Sequence, residues 1–158
     1  MLKTKFEVRG FTLVEIMVVV VIIGLLAAMA MAALSRSQRR TENNTVLNDL
    51  RVFSAAFEQY SLENGSWPLN TLSPKVIPVG MEGALQQASW GRNLPGGGQY
   101  DWEGPGTPLG VTAAISIWNS SWSDNRWAEV DQLVDDGVVT TGHFRKLSDG
   151  RMGLVLED

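Results

Sequence analysis

The 158-residue sequence contains no cysteine and only one histidine. Without cysteine, neither a disulfide nor a thiolate metal site can stabilise the fold. The single histidine, His143, is followed by Arg145 and Lys146, and a base beside two cations is disfavoured. Motifs of serine hydrolases and zinc proteases (Gly-x-Ser-x-Gly, His-Glu-x-x-His) are absent. The sequence therefore predicts a protein that is not an enzyme.

Proline is also absent before Pro68, and charge is nearly absent from residues 11–34. At about 1.5 Å per helical residue, this apolar run spans roughly 36 Å, which is enough to cross a membrane. Its only charge is Glu15. An ionisable group in a membrane helix costs up to about 3 kcal/mol and is a functional candidate. Cleavage after Gly10 would create a positive amine on Phe11, at nearly the same depth as the carboxylate.

The order of these residues carries a family resemblance. A basic leader, Gly10, the sequence Phe-Thr-Leu-Val-Glu-Ile and an apolar helix resemble the N-terminal signal of type IV pilins and type II secretion pseudopilins. The resemblance implies that a prepilin peptidase cleaves between Gly10 and Phe11, that Phe11 is N-methylated, and that packed N-terminal helices form a filament. It implies that Glu15 neutralises the amine of an adjacent subunit. Since many major pilins carry a C-terminal disulfide, the lack of cysteine favours a pseudopilin.

Orientation does not follow from charge, because basic residues lie on both sides of the apolar run. The resemblance implies a single-pass protein of the bacterial inner membrane, with a periplasmic C-terminal domain, either in the membrane or in a filament that reaches the cell surface. Its implied partners are the prepilin peptidase, other pilin-like subunits and the inner-membrane assembly platform. The net charge of −4 disfavours nucleic acid as a partner.

An ordinary secretory signal is the alternative interpretation, because basic residues, an apolar run and Ala28-Met29-Ala30 are also its components. The function would then be that of an exported or singly anchored ligand-binding domain. The run is longer than the usual 7–15 residues or so and contains a carboxylate, which favours the pilin-type signal.

Four segments are expected: a leader at 1–10, the transmembrane half of a long helix at 11–34, its amphipathic half at 35–64, and a globular domain at 65–158. Apolar residues at steps of three and four predict that the amphipathic half buries one face: Val46, Leu50, Phe53, Phe57 and Tyr60. Gly65 predicts the end of the helix. The fold class is α+β, a long helix packed on a small antiparallel sheet.

Within the globular domain, residues 65–110 hold all six prolines and ten of the sixteen glycines, which predicts loops with a short helix near 82–88. Alternation over 111–118 predicts a strand. Asp124 is expected to cap a helix. Asp-Gly within Ser148-Asp149-Gly150 predicts a hairpin between residues 143–147 and 151–156. Most of the six tryptophans are expected in the core, with Trp118 and Trp122 as the exposed exceptions.

Calcium is the one metal to consider, because major pseudopilins are known for a C-terminal calcium site in place of a disulfide. The candidate ligands are the carboxylates of Asp131, Asp135, Asp136 and Asp149. The twelve-residue calcium loop pattern is absent, and solvated surface is the favoured interpretation of these acids. We therefore expect no cofactor, with calcium as the open alternative.

Overall fold

The computed structural model describes residues 10–158, so most of the predicted leader, residues 1–9, lies outside the described part. The first element, α1, is a 52-residue helix from Leu13 to Asn64. This confirms the uninterrupted helix that the lack of proline predicts. Gly65 ends it with φ 70°. Its N–H donates to the carbonyl of Ser61 at 2.8 Å, the left-handed arrangement that favours glycine after a helix.

The chain divides into two compact units at Arg40. The second unit, Thr41–Asp158, contains a four-stranded antiparallel sheet of order β1-β2-β4-β3. The strands are β1 (Gln99–Glu103), β2 (Ala113–Trp118), β3 (Phe144–Lys146) and β4 (Met152–Glu157). Two short helices complete the unit, α2 (Gln87–Trp90) and α3 (Asp124–Val134). The α+β class with a long helix and a small antiparallel sheet is thereby confirmed.

The core of this unit lies between one face of the sheet and the predicted stripe of α1. Val46, Leu50, Phe53 and Phe57 are each at most 1% exposed, and Tyr60 packs at the edge. The Phe57 ring stacks on Trp102 with centroids 3.8 Å apart. Burying large aromatic rings contributes most of the apolar area available to a small domain without disulfides.

The other face of the sheet carries buried charge. Because Tyr100 and Trp102 pack towards α1, the alternating Asp101 and Glu103 face away from it. Arg151, from the β3–β4 turn, donates to Glu103 at 2.8 Å and to Asp101 at 3.3 Å. The pKa of Asp101 is raised to about 6 by burial and then by repulsion from Glu103. Pairing with one arginine offsets part of the cost of burying two carboxylates.

Several local predictions hold and others are wrong. The strand at 111–118 is confirmed as β2, and the Asp-Gly hairpin as β3 and β4. The loop predicted for 65–110 is wrong in part, because β1 lies inside it. The predicted helix at 82–88 is displaced to α2. Asp124 is not the cap of α3: Ser123 holds that position, without a side-chain capping bond.

Candidate functional site

Thr12 and Glu15 form a reciprocal hydrogen-bonded pair at the first turn of α1. The backbone N–H and the hydroxyl of Thr12 both donate to Glu15 Oε2 at 2.9 Å. The Glu15 N–H in turn donates to Thr12 Oγ1 at 3.3 Å. This is a capping box, in which a threonine and a glutamate three residues later satisfy backbone donors that the helix leaves unpaired. Glu15 therefore has a structural role in addition to its charge.

Sequence reasoning missed Thr12, although the Thr-x-x-Glu spacing was available as a signal. In hydrocarbon or at its edge, an unpaired backbone N–H is costly, so the cap favours a helix that starts within the membrane interface. Both donors from Thr12 end on Oε2. The other oxygen, Oε1, is the atom that can accept a bond from an amine outside the cap.

Gly10 and Phe11, the two predicted processing residues, precede the capping box on exposed chain. Phe11 is 81% exposed. A Cβ atom added at Gly10 would meet nothing within 4 Å, and Gly10 is not among the glycines with positive φ. The described fold therefore gives no steric reason for a glycine at this position.

The apolar half of α1 lacks a covering layer in the isolated chain. Its large side chains from Leu13 to Leu34 are between 48% and 76% exposed. The helix is long and apolar enough to cross a membrane. An exposed apolar surface of this size is stable only when lipid or other apolar helices surround it.

Three of the four acidic candidates for a metal site already accept hydrogen bonds or pair with a cation of the protein. Asp135 accepts from the backbone N–H groups of His143 and Phe144. Asp136 accepts hydrogen bonds from the Thr141 hydroxyl and then from Val138 N–H, and these bonds lower its pKa. Asp149 pairs with Arg151 in the β3–β4 turn.

Asp131 differs from the other three, because both of its carboxylate oxygens are buried without a hydrogen-bond partner. Burial, followed by the charges of Asp136 and Asp135, raises the pKa of Asp131 to about 6. Within residues 10–158, no group of three or more His, Cys, Asp or Glu side chains could hold a metal ion. The donor set found here does not fit calcium, whose sites supply six to eight oxygens or so.

Sequence reasoning placed most tryptophans in the core. Trp90, Trp102 and Trp127 are at most 4% exposed, and Trp67 and Trp122 are partly buried against the same core, so five of the six pack in it or on it. Trp118 is 44% exposed. Trp122 is half-buried, with the guanidinium of Arg126 lying 4.6 Å from its ring centroid. Only the first of the two expected exceptions is therefore exposed.

Comparisons with known proteins point to the same N-terminal segment. The model of the prokaryotic N-terminal methylation motif matches residues 7–31. The chain is 31% identical over 134 residues to type II secretion system core protein G of Escherichia coli (strain K12), covering 72% of this chain and 92% of that protein. It is 30% identical over 126 residues to the protein of the same name from Pseudomonas aeruginosa, covering 73% and 89%.

A shorter match extends to pili. The chain is 35% identical over 68 residues to a fimbrial protein of Neisseria meningitidis, covering 43% of this chain and 40% of that protein. Among solved structures, none matches the chain significantly.

Proposed function

This chain belongs to the type II secretion system core protein G family, and we propose that it is a pseudopilin that assembles through α1 into a filament for protein secretion. The observation that carries the proposal is the N-terminal methylation motif at residues 7–31, a range that includes the start of the exposed apolar helix α1 with Glu15 in its first turn. The relatives are named as core proteins of a secretion system and not as enzymes. A structural role follows from that membership.

Processing is proposed to occur between Gly10 and Phe11. The exposed chain at these two residues supports access by a prepilin peptidase. Because a side chain at Gly10 would meet no neighbouring atom, the glycine is not needed for folding, which supports a role in recognition by the peptidase. N-methylation of the new Phe11 amine would preserve its positive charge, since alkylated amines remain protonated at neutral pH.

Glu15 is proposed to bind that amine in the adjacent subunit. A salt bridge between Glu15 Oε1 and a Phe11 amine would neutralise both charges in the low-dielectric packing of apolar helices. The capping box supports this role, because it fixes the carboxylate through Oε2. A preorganised carboxylate loses less conformational entropy on binding.

The chain is anchored in the inner membrane by its apolar helix, as the family and the helix indicate. We further assign residues 1–10 to a cytoplasmic leader, 11–34 to the membrane, 35–64 to the amphipathic half of α1, and 65–158 to a periplasmic domain. The proposed partners are the prepilin peptidase, other pilin-like subunits and the inner-membrane assembly platform. Calcium is not required in this proposal.

Cysteine cross-linking in cells tests the assembly, and the absence of native cysteine removes any background. Cysteines at both Val21 and Leu25, which are exposed on α1 and four residues apart as Phe11 and Glu15 are, should give disulfide-linked dimers when helices pack in a filament with that offset. We expect dimers only in cells that contain the peptidase and the assembly platform. Equal dimer yields without the peptidase would contradict processing-dependent assembly.

A further inference from the structure

Three arginines follow the apolar half of α1 within five residues. Arg36, Arg39 and Arg40 are exposed and lie on the continuous helix. Spacings of three and four residues place them on one side of that helix. No acidic residue lies between Glu15 and Glu42, so residues 35–40 carry a local charge of +3.

The position of this arginine cluster along the helix matches the phosphate layer of a bilayer. The segment from Leu13 to Leu34 is about 33 Å long in helical form, close to the roughly 30 Å of a hydrocarbon core. Arg36 and Arg40 therefore lie about 3 and 9 Å beyond that core. The headgroup region adds about 5–8 Å on each side.

The distribution of charge makes the cluster unusual for this chain. Residues 41–158 contain seven basic and fifteen acidic residues, a net charge of −8, which an anionic membrane repels. Basic residues normally lie in excess on the cytoplasmic side of a membrane helix, whereas these arginines lie close to its translocated end. Anionic groups at the membrane surface would offset both of these unfavourable effects.

We propose that the arginine cluster binds the phosphate groups of anionic phospholipids at the outer surface of the inner membrane. This inference rests on the proposed function for its membrane and its orientation. Arginine binds phosphate through two parallel N–H bonds, and Arg36 and Arg40, one turn apart, can hold neighbouring headgroups. The contacts set the depth of the subunit in the membrane before assembly.

Lipid selectivity of the full, processed chain tests the proposal. The chain is reconstituted in phosphatidylcholine vesicles containing roughly one third phosphatidylglycerol, and spin-labelled forms of each lipid report which one surrounds the helix. Each arginine at the surface contributes up to about fivefold to association with an anionic lipid. We expect a several-fold preference for phosphatidylglycerol that falls towards unity in R36Q/R39Q/R40Q and at high salt.

Arg51→Gln is the matched control. Arg51 is exposed on the same helix but lies about 16 Å beyond Arg40, more than a Debye length at physiological salt. Its loss should leave the lipid preference unchanged. An equal loss of preference in Arg51→Gln and in the triple variant would overturn the assignment to the cluster.

Other outcomes separate the possible ligands. Loss of the preference in inorganic phosphate, but not in sodium chloride of equal ionic strength, would assign the cluster to a free anion and overturn the lipid proposal. A triple variant that keeps its lipid preference but no longer assembles would assign the arginines to contacts with a second copy. Equal association with both lipids by a chain that is firmly inserted overturns this inference alone, whereas a chain that does not insert at all overturns the proposed function.

Discussion

Replacing Asp131 by asparagine tests how α3 holds a buried carboxylate without a donor. Its pKa is raised from 3.8 to about 6, first by burial and then by Asp136 and Asp135. That difference corresponds to at most about 3 kcal/mol of cost for the ionised form. Because the folded-state pKa lies above the unfolded value, this cost is absent below about pH 4 and complete above about pH 6.

The Asp131→Asn variant removes the charge but adds an amide that needs its own partner at a cost of about 1 kcal/mol or more, so we expect a net stabilisation of up to about 2 kcal/mol at pH 7.5. Denaturant unfolding of the full chain in detergent, at several pH values from 4 to 7.5, measures the effect. Asp101, whose pKa is also raised to about 6, adds to the pH dependence of both proteins, so the difference between them isolates Asp131. Glu58→Gln, at an exposed position on α1, is the control and should change stability by less than about 0.5 kcal/mol.

Two results would refute this reasoning. One is a variant that is less stable than the natural chain at pH 7.5. The other is a melting temperature of the natural chain that falls when a chelator is added, because a bound cation would then supply the partner that the carboxylate lacks. We expect no shift with chelator.

Glu15→Ala and Glu15→Gln should both abolish assembly in the cross-linking assay, because each removes the charge; filaments from the glutamine variant would assign Glu15 to the helix cap alone. Phe57→Ala should lower the free energy of unfolding by about 3–5 kcal/mol, since its buried ring stacks in the core, whereas Leu62→Ala, at an 86% exposed residue, should cost little. Equal costs would contradict the packing described. Tyr100→Phe removes the hydroxyl that donates to Asp49 at 2.9 Å and should cost about 1.5–3 kcal/mol in denaturant unfolding; a neutral change would show that Asp49 is satisfied without it.

The parts of this fold that sequence predicted are those governed by local rules. The apolar stripe of α1, the glycine at its end and the Asp-Gly hairpin each depend on residues within a few positions of one another. Each was predicted at nearly the correct boundary. The N-terminal segment also follows from local order, because residue identity and spacing around Gly10 and Glu15 carry the family resemblance.

β1 was missed because its stability depends on distant residues. Its sequence, Gln-Tyr-Asp-Trp-Glu, alternates apolar and acidic residues, and lies in a region rich in glycine and proline. Asp101 and Glu103 can be buried only because Arg151, about fifty positions later, returns to pair with them. The residues next to β1 therefore do not predict that Arg151 will pair with its two carboxylates. The capping box was missed for another reason. Its Thr-x-x-Glu spacing was present in the sequence, but Glu15 was interpreted only by its charge and not as a partner of Thr12.

The most direct test of the account is the mass of the N-terminal peptide of the protein purified from cells that contain a prepilin peptidase. We predict a chain that begins at Phe11 and carries one additional methyl group on its amine. A chain that begins at Met1, or near Met31 after cleavage by an ordinary signal peptidase, would contradict it.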